Sequence, residues 1–298
     1  MTAEKMIVRT GGERQLEALV SGPPDGLTVV LQNGTPAGLM AAPLIAAATA
    51  ERGLRLVLYA RPGYEGSTPD PGRQVAGAAA DLGAVLDALG AAEFVTVGWS
   101  GGGPHALACA ALLPGRCLAA ATMAGPAPYQ ADGLDWWQGM GQENLAEFQA
   151  AEAGQQALTS FLEPAAREMA SLTGADVVAG LGDLVSAADK AAVTAEFADY
   201  LAASFRAAVA GGVAGWRDDD LAFVTDWGFT MADASVGAPV AVWQGDQDMM
   251  VPWSHGQWLA EHIPGARAHL LPGEGHLTLV HVFGAILDDL MDLAGRQG

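Results

Sequence analysis

Gly98-Trp99-Ser100-Gly101-Gly102 sets a serine at the centre of a G-x-S-x-G turn. A serine hydroxyl is a weak nucleophile near neutral pH. It attacks a carbonyl carbon only when a neighbouring base takes its proton and an acid orients that base. The chain offers rivals for both partners. Six histidines compete for the base: His105, His255, His262, His269, His276 and His281. Two carboxylates, Asp246 and Asp248, follow an apolar run, and either could orient an imidazole while the other holds its loop through an Asx turn. These residue types point to acyl transfer through a covalent intermediate. Neither H-E-x-x-H nor a clustered His/Asp ligand pattern occurs, so no metal is expected.

In a chain with 39 glycines the turn pattern alone is weak, but its surroundings are specific. An apolar run at 94–97 leads in and a helical stretch at 102–113 leads out. A strand that reverses directly into a helix strains its central residue and leaves no room for bulky neighbours two positions away. Short β-rich runs at 27–31, 54–59, 94–97 and 118–123 alternate with Ala-rich helical stretches at 38–52, 74–90 and 102–113. Fully apolar strands alternating with helices predict a parallel sheet covered on both faces. The alternation stops after Pro128. Helical patterning with scattered aromatics then runs from Gln130 to Val236, before strands at 239–244 and 268–271 resume, each followed by a helix (252–262 and 281–294). The expected organisation is one α/β core made of residues 1–129 and 237–298, with a helical insertion at 130–236 before the penultimate strand.

The net charge of −20, with Lys5 and Lys190 the only lysines, argues against nucleic acid and against an anionic membrane surface. A hydrophobic share of 51% is ample for a core. The long uncharged segments 26–50 and 94–115 are broken by Pro and Gly, which suits buried strand–turn–helix units better than a bilayer helix. Residues 1–14 contain no apolar run, so a signal peptide is not expected. Cys109 and Cys117 stand outside any metal or redox pattern and read as buried thiols of a reducing, cytoplasmic protein.

Four separated motifs carry a resemblance that spans nearly the whole chain. They are Gln32-Asn33-Gly34-Thr35-Pro36, Arg61-Pro62-Gly63-Tyr64-Glu65-Gly66-Ser67, the Gly98 to Gly102 turn, and Gly245-Asp246-Gln247-Asp248 with Gly273-Glu274-Gly275-His276. In these the chain resembles the serine-nucleophile branch of the α/β-hydrolase superfamily. The resemblance implies that fold, with Ser100 as nucleophile, His276 as base and Asp248 as orienting acid. It implies an oxyanion hole from the backbone N–H groups of Thr35 and Gly101, although Asn33 replaces the family's usual histidine. The 61–67 loop takes a scaffolding role. The insertion becomes a helical cap over Ser100, with Trp99 and Met123 on the core side of a substrate pocket and Trp136 and Trp137 on the lid side.

The implied activity is cofactor-free hydrolysis of an apolar, neutral ester or lactone. C–C bond hydrolysis, perhydrolysis and aminopeptidase action use the same constellation. A serine at position 100 argues against epoxide hydrolase and dehalogenase chemistry, whose relatives carry aspartate there. Iminopeptidase relatives differ in the serine turn and in the oxyanion loop. A reading from another class is a receptor-like ligand-binding protein with a vestigial triad, which would react once rather than turn over. The expected partner is a small-molecule substrate; homo-oligomerisation is left open.

Overall fold

Every residue of Thr28–Gln32, Phe94–Trp99 and Val240–Gly245 is buried, as strands covered on both faces must be. The computed structural model describes residues 3–182 and 184–296. It contains eight strands: β1 (Glu4–Arg9), β2 (Gln15–Ser21), β3 (Thr28–Gln32), β4 (Arg55–Tyr59), β5 (Phe94–Trp99), β6 (Cys117–Met123), β7 (Val240–Gly245) and β8 (Arg267–Leu271). Their spatial order is β1-β2-β4-β3-β5-β6-β7-β8. All pairings from β4 to β8 are parallel, while β1 and β2 add an antiparallel hairpin to the β4 edge.

Side chains alternate between the two faces, so each strand feeds two cores. Val29, Leu31, Val95, Val97, Ala119 and Ala121 meet α1 (Pro43–Glu51) and α12 (Phe283–Leu293) through Ile45, Phe283 and Ile286. Val30, Phe94, Ala120, Val240 and Val242 meet α2 (Gly77–Ala88) and α3 (Gly102–Leu112) through Leu82, Val85 and Leu107. The six parallel strands are the six apolar runs of the sequence, shifted by a residue or so. The hairpin β1–β2 was not expected. Its strands are half-exposed and alternate polar with apolar residues, so they carry no long apolar run. The first helix begins at Pro43 rather than 38, because Ala42 is extended (ψ 145°) and Pro43 occupies the first turn.

Among the described residues, β6 and β7 are joined through helices only: α4 (Gln142–Glu152), α5 (Gln155–Met169), α6 (Gly174–Ala179), α7 (Ala187–Ala192), α8 (Ala195–Val209), α9 (Ala214–Phe223) and α10 (Met231–Gly237). The last two return to the sheet layers. Gly215 of α9 lies against the Tyr64 ring, and Gly237 at the end of α10 lies against the Ala110 carbonyl of α3. The helix α11 (Trp253–His262) follows β7 and packs on it. No helix among the described residues is long and apolar enough to cross a membrane.

Candidate active site

Ser100 stands where β5 turns into α3, with a φ of 55° that an L-residue rarely adopts. Such a conformation costs about 1–3 kcal/mol and persists only where the surroundings enforce it. Here they do. The Ser100 N–H donates to Met123 O (2.9 Å) and the Gly103 N–H donates to Ser100 O (2.8 Å). The flanking glycines are required by close approach: a Cβ on Gly98 would strike the Gly102 carbonyl, and one on Gly102 would strike the Gln32 carbonyl. Gly34 of the preceding loop comes close enough that a Cβ there would lie 3.3 Å from Ser100 Cβ and 3.8 Å from its Oγ.

The loops after β7 and β8 bring acid and base together. His276 Nδ1 lies 2.9 Å from Asp248 Oδ2. An ionised carboxylate only accepts, so Nδ1 holds the proton and Nε2 is left as the basic nitrogen. Asp248 is itself fixed: its Oδ1 accepts from Met250 N and Val251 N (both 2.9 Å), and Oδ2 also accepts from Gln244 Nε2 (3.1 Å). Burial pushes the His276 pKa down, but the Asp248 charge, its hydrogen bond and the field of Asp189 outweigh burial and leave it raised. Asp246 makes no such contact. Its Oδ1 accepts from Gly273 N (2.8 Å) and Gln247 Nε2 (3.0 Å), tying the two loops together.

The other histidines with resolved partners are held elsewhere. His255 accepts from Ala127 N (3.1 Å) at Nδ1 and reaches Trp136 O (3.0 Å) through Nε2, and burial lowers its pKa to about 4. His105 is also lowered by burial to about 4, beside Asp219 and Phe223. His269 pairs with Asp289, and His262 stacks on Trp258.

The oxyanion loop is clamped from below. Arg61 donates to Asn33 O (2.6 Å), Gly34 O (2.9 Å) and Thr35 Oγ1 (2.9 Å), while Thr35 Oγ1 donates to Asp219 Oδ2 (2.9 Å). Asp219 also receives Arg73 (2.7 Å) and the Tyr64 hydroxyl (2.9 Å). Burial alone would raise the Asp219 pKa, but Arg61 and Arg73 hold it well below the ordinary carboxylate range. Asn33 anchors its own loop, donating to Gly38 O (2.9 Å) and Met40 O (3.0 Å). Among the described residues no loop or side-chain acceptor takes the N–H of Thr35 or of Gly101, so both are free to serve a ligand.

Two lobes meet at Ser100, Thr35 and Met250. One runs past Trp99 and His276 to Tyr200, Leu201 and Phe205 of α8. The other runs past Gly101 to Trp136, Met140, Glu147, Phe148 and Asp220. Of the four expected pocket residues, Trp99 and Trp136 line these lobes. Met123 and Trp137 do not: Met123 is fully buried at the end of β6, and Trp137 packs edge-on against Trp136 and Tyr129. The α4 and α8 contributions carry no motif; Phe148, Tyr200 and Phe205 stand in the sequence only as aromatics scattered through helical patterning.

Asp189 was missed altogether. Fully buried on α7, it accepts the N–H groups of His276 (3.1 Å), Leu277 (2.7 Å) and Thr278 (3.0 Å). It thereby caps the 3-10 turn Thr278–Val282. The same carboxylate closes a capping box, accepting the Ser186 N–H (3.3 Å) while Ser186 Oγ accepts the Asp189 N–H (3.1 Å), which is its only legible signal. A Cβ on Gly275 would collide with it, which explains the glycine before His276. Asp189→Asn removes a charge near His276 and can keep only part of the three-donor contact. We expect kcat to fall about tenfold or more, given the ~1.5–3 kcal/mol of a hydrogen bond to a charged group. The acid limb of the kcat/KM profile should also move to lower pH, since a charge favouring imidazolium is lost. A purely structural role would lower the melting temperature and leave that limb in place.

A sheet of this topology, with a strained serine turn after β5 and a carboxylate–histidine pair on the loops after β7 and β8, defines an α/β hydrolase fold. The chain belongs to the alpha/beta hydrolase fold family, whose model matches residues 28–280. No curated protein sequence matches it. Solved structures do. A thermophilic esterase from Thermogutta terrifontis shares 18% identity over 98% of this chain and 99% of its own, with a TM-score of 0.68. A bromoperoxidase from Bacillus anthracis shares 22% over 97% and 100% (TM-score 0.69), and the enol-lactonase from Burkholderia xenovorans LB400 shares 18% over 96% and 100% (TM-score 0.63). At these identities the likeness is one of fold.

Proposed function

We propose that the protein is a cofactor-free serine hydrolase of carboxylic esters or lactones. The observation that carries this reading is the shared lobe of Ser100 and His276, with Asp248 bonded to the far side of the imidazole. The Ser100 Oγ attacks the ester carbonyl carbon as His276 Nε2 takes its proton. The negative oxygen that forms is held by the N–H groups of Thr35 and Gly101. Collapse of this intermediate breaks the C–O bond, and His276 returns the proton to the leaving alkoxide. A water molecule, deprotonated by the same nitrogen, then attacks the acyl-serine. The acid departs and Ser100 regains its proton.

The helical segment at 130–236 acts as a cap, its α4 and α8 side chains closing both lobes over the serine. Tyr200, Leu201 and Phe205 suit a neutral, apolar portion of the substrate. The two free, buried thiols, Cys109 and Cys117, fit a reducing compartment such as the cytoplasm.

The test is a fluorophosphonate probe run beside a panel of p-nitrophenyl esters of increasing chain length. Tryptic mass spectrometry is expected to find the adduct on the peptide containing Ser100, with many turnovers of at least one ester. Because Asp248 outweighs burial at His276, activity should fall with decreasing pH through a pKa above the ~6.5 of a free imidazole. A stoichiometric burst with no turnover would favour a receptor-like protein. Labelling at another residue would remove Ser100 from the mechanism.

A further inference from the structure

The lobe on the Gly101 side of Ser100 contains two carboxyl groups that the hydrolytic steps do not use. Glu147 of α4 and Asp220 of α9 line the same wall as Thr35, Ser100 and Gly101 and lie close enough to perturb each other's ionisation. Asp220 is 1% exposed, and among the described residues no donor serves its Oδ2. Among the described residues Glu147 receives only the Trp216 indole N–H, at 2.6 Å. Among the described residues no cation bonds to either group, although Asp219, one position earlier, holds both Arg61 and Arg73.

The surroundings of the pair are Glu143 on α4, Asp219 on α9 and the more distant charge of Arg73. Burial, Glu147 and Asp219 lift the Asp220 pKa well above its ordinary value against the pull of Arg73, and burial lifts that of Glu147. Glu147 thus makes ionisation of Asp220 harder. An apolar pair of equal volume would hold α4 to α9 at lower cost. A buried carboxyl with an unserved oxygen beside the nucleophile therefore suits a ligand that brings donors and positive charge.

Its side of the serine indicates which part of the ligand that is. Under the reading above, His276 hands its proton to the leaving oxygen, so the leaving group occupies the lobe that holds His276. The acyl chain enters the other. We propose that Glu147 and Asp220 form a subsite for a protonated amine on the acyl part of the substrate, making short amino-acyl esters the preferred class. This rests on the hydrolase reading for its orientation only; the cation site stands on the carboxyl pair.

The experiment compares methyl butanoate with methyl 2-aminobutanoate and methyl 3-aminobutanoate, at a pH where the amines are protonated. In the wild type, at least one amino ester should exceed methyl butanoate about tenfold or more in kcat/KM, the effect of a hydrogen-bonded charge pair in a dry site. In Asp220→Asn and Glu147→Gln that ratio should fall to about one or below. A wild-type preference for methyl butanoate over both amino esters overturns the proposal, as does a preference that survives both substitutions. A second measurement is independent of turnover. Propylammonium chloride should raise the wild-type melting temperature above that in equimolar sodium chloride, and propanol should not. Loss of that shift in Asp220→Asn supports the subsite even if no ester is hydrolysed and Ser100 is never labelled, in which case only the hydrolase reading has failed. No shift in the wild type, or an equal shift in the variant, rejects it.

Discussion

Ser100→Ala is expected to abolish ester turnover while leaving the fold intact. Removing the nucleophile of a serine triad lowers kcat by about 10⁶, equivalent to about 8 kcal/mol of barrier. The loss should fall on kcat rather than KM, because both lobes, the Thr35 and Gly101 N–H groups and the Asp248–His276 pair remain in place. Alanine keeps a Cβ, so the turn retains its φ of 55° and its bonds to Met123 and Gly103. The melting temperature should therefore change little. Steady-state kinetics with the best p-nitrophenyl ester and a thermal melt decide the matter. A variant that retains more than about a thousandth of wild-type kcat would mean that another group attacks the carbonyl, since oxyanion-hole stabilisation and binding alone leave only a small residue over water.

The second large effect separates two aspartates that stand two positions apart. Asp248→Asn keeps the shape of the side chain but replaces one acceptor oxygen by a donor. The remaining oxygen can serve the Met250 and Val251 amides, and the new NH₂ group then faces His276. The imidazole answers by presenting Nδ1 as an acceptor and carrying its proton on Nε2, where it no longer works as a base. In a serine-protease triad this change lowers kcat by about 10⁴, or about 5 kcal/mol; we expect at least about a hundredfold here. Asp246→Asn should cost less than about tenfold, because an amide oxygen still accepts from Gly273 and Gln247. If Asp246→Asn is the crippled variant, the orienting acid has been misassigned.

Much of the scaffold was legible from short-range patterns, for reasons the structure makes plain. The five inner parallel strands, β3 to β7, are buried on both faces, so each reads as a largely apolar run; the edge strand β8 is half-exposed and was read from its shorter pattern. The serine turn was legible because sterics act over four residues: Gly98 and Gly102 have no room for a Cβ. The β1–β2 hairpin was not, because an edge strand faces water on one side and looks like any polar segment. The late start of α1 turned on Pro43, whose preference for the first helical turn outweighed the apolar pattern upstream. Residue types alone left Asp246 and Asp248 open; the resemblance favoured Asp248, which the structure places 2.9 Å from His276 Nδ1.

What the sequence by itself determined is whatever acts between near neighbours: strand and helix periods, the geometry of the serine turn, the helical character of the segment between β6 and β7. Only the tertiary structure decided the fate of the buried carboxylates. Asp218, Asp219 and Asp220 are chemically identical and consecutive, yet a helix turns them about 100° apart. Asp218 meets Arg217 on its own helix (2.7 Å), Asp219 meets Arg61, a residue 158 positions away, and Asp220 meets Glu147 in the lobe beside Ser100. Asp189 reaches across 87 positions to the His276 amide. A carboxyl group takes its charge and its role from the donors that surround it, and donors brought together by folding leave no spacing in the chain to read.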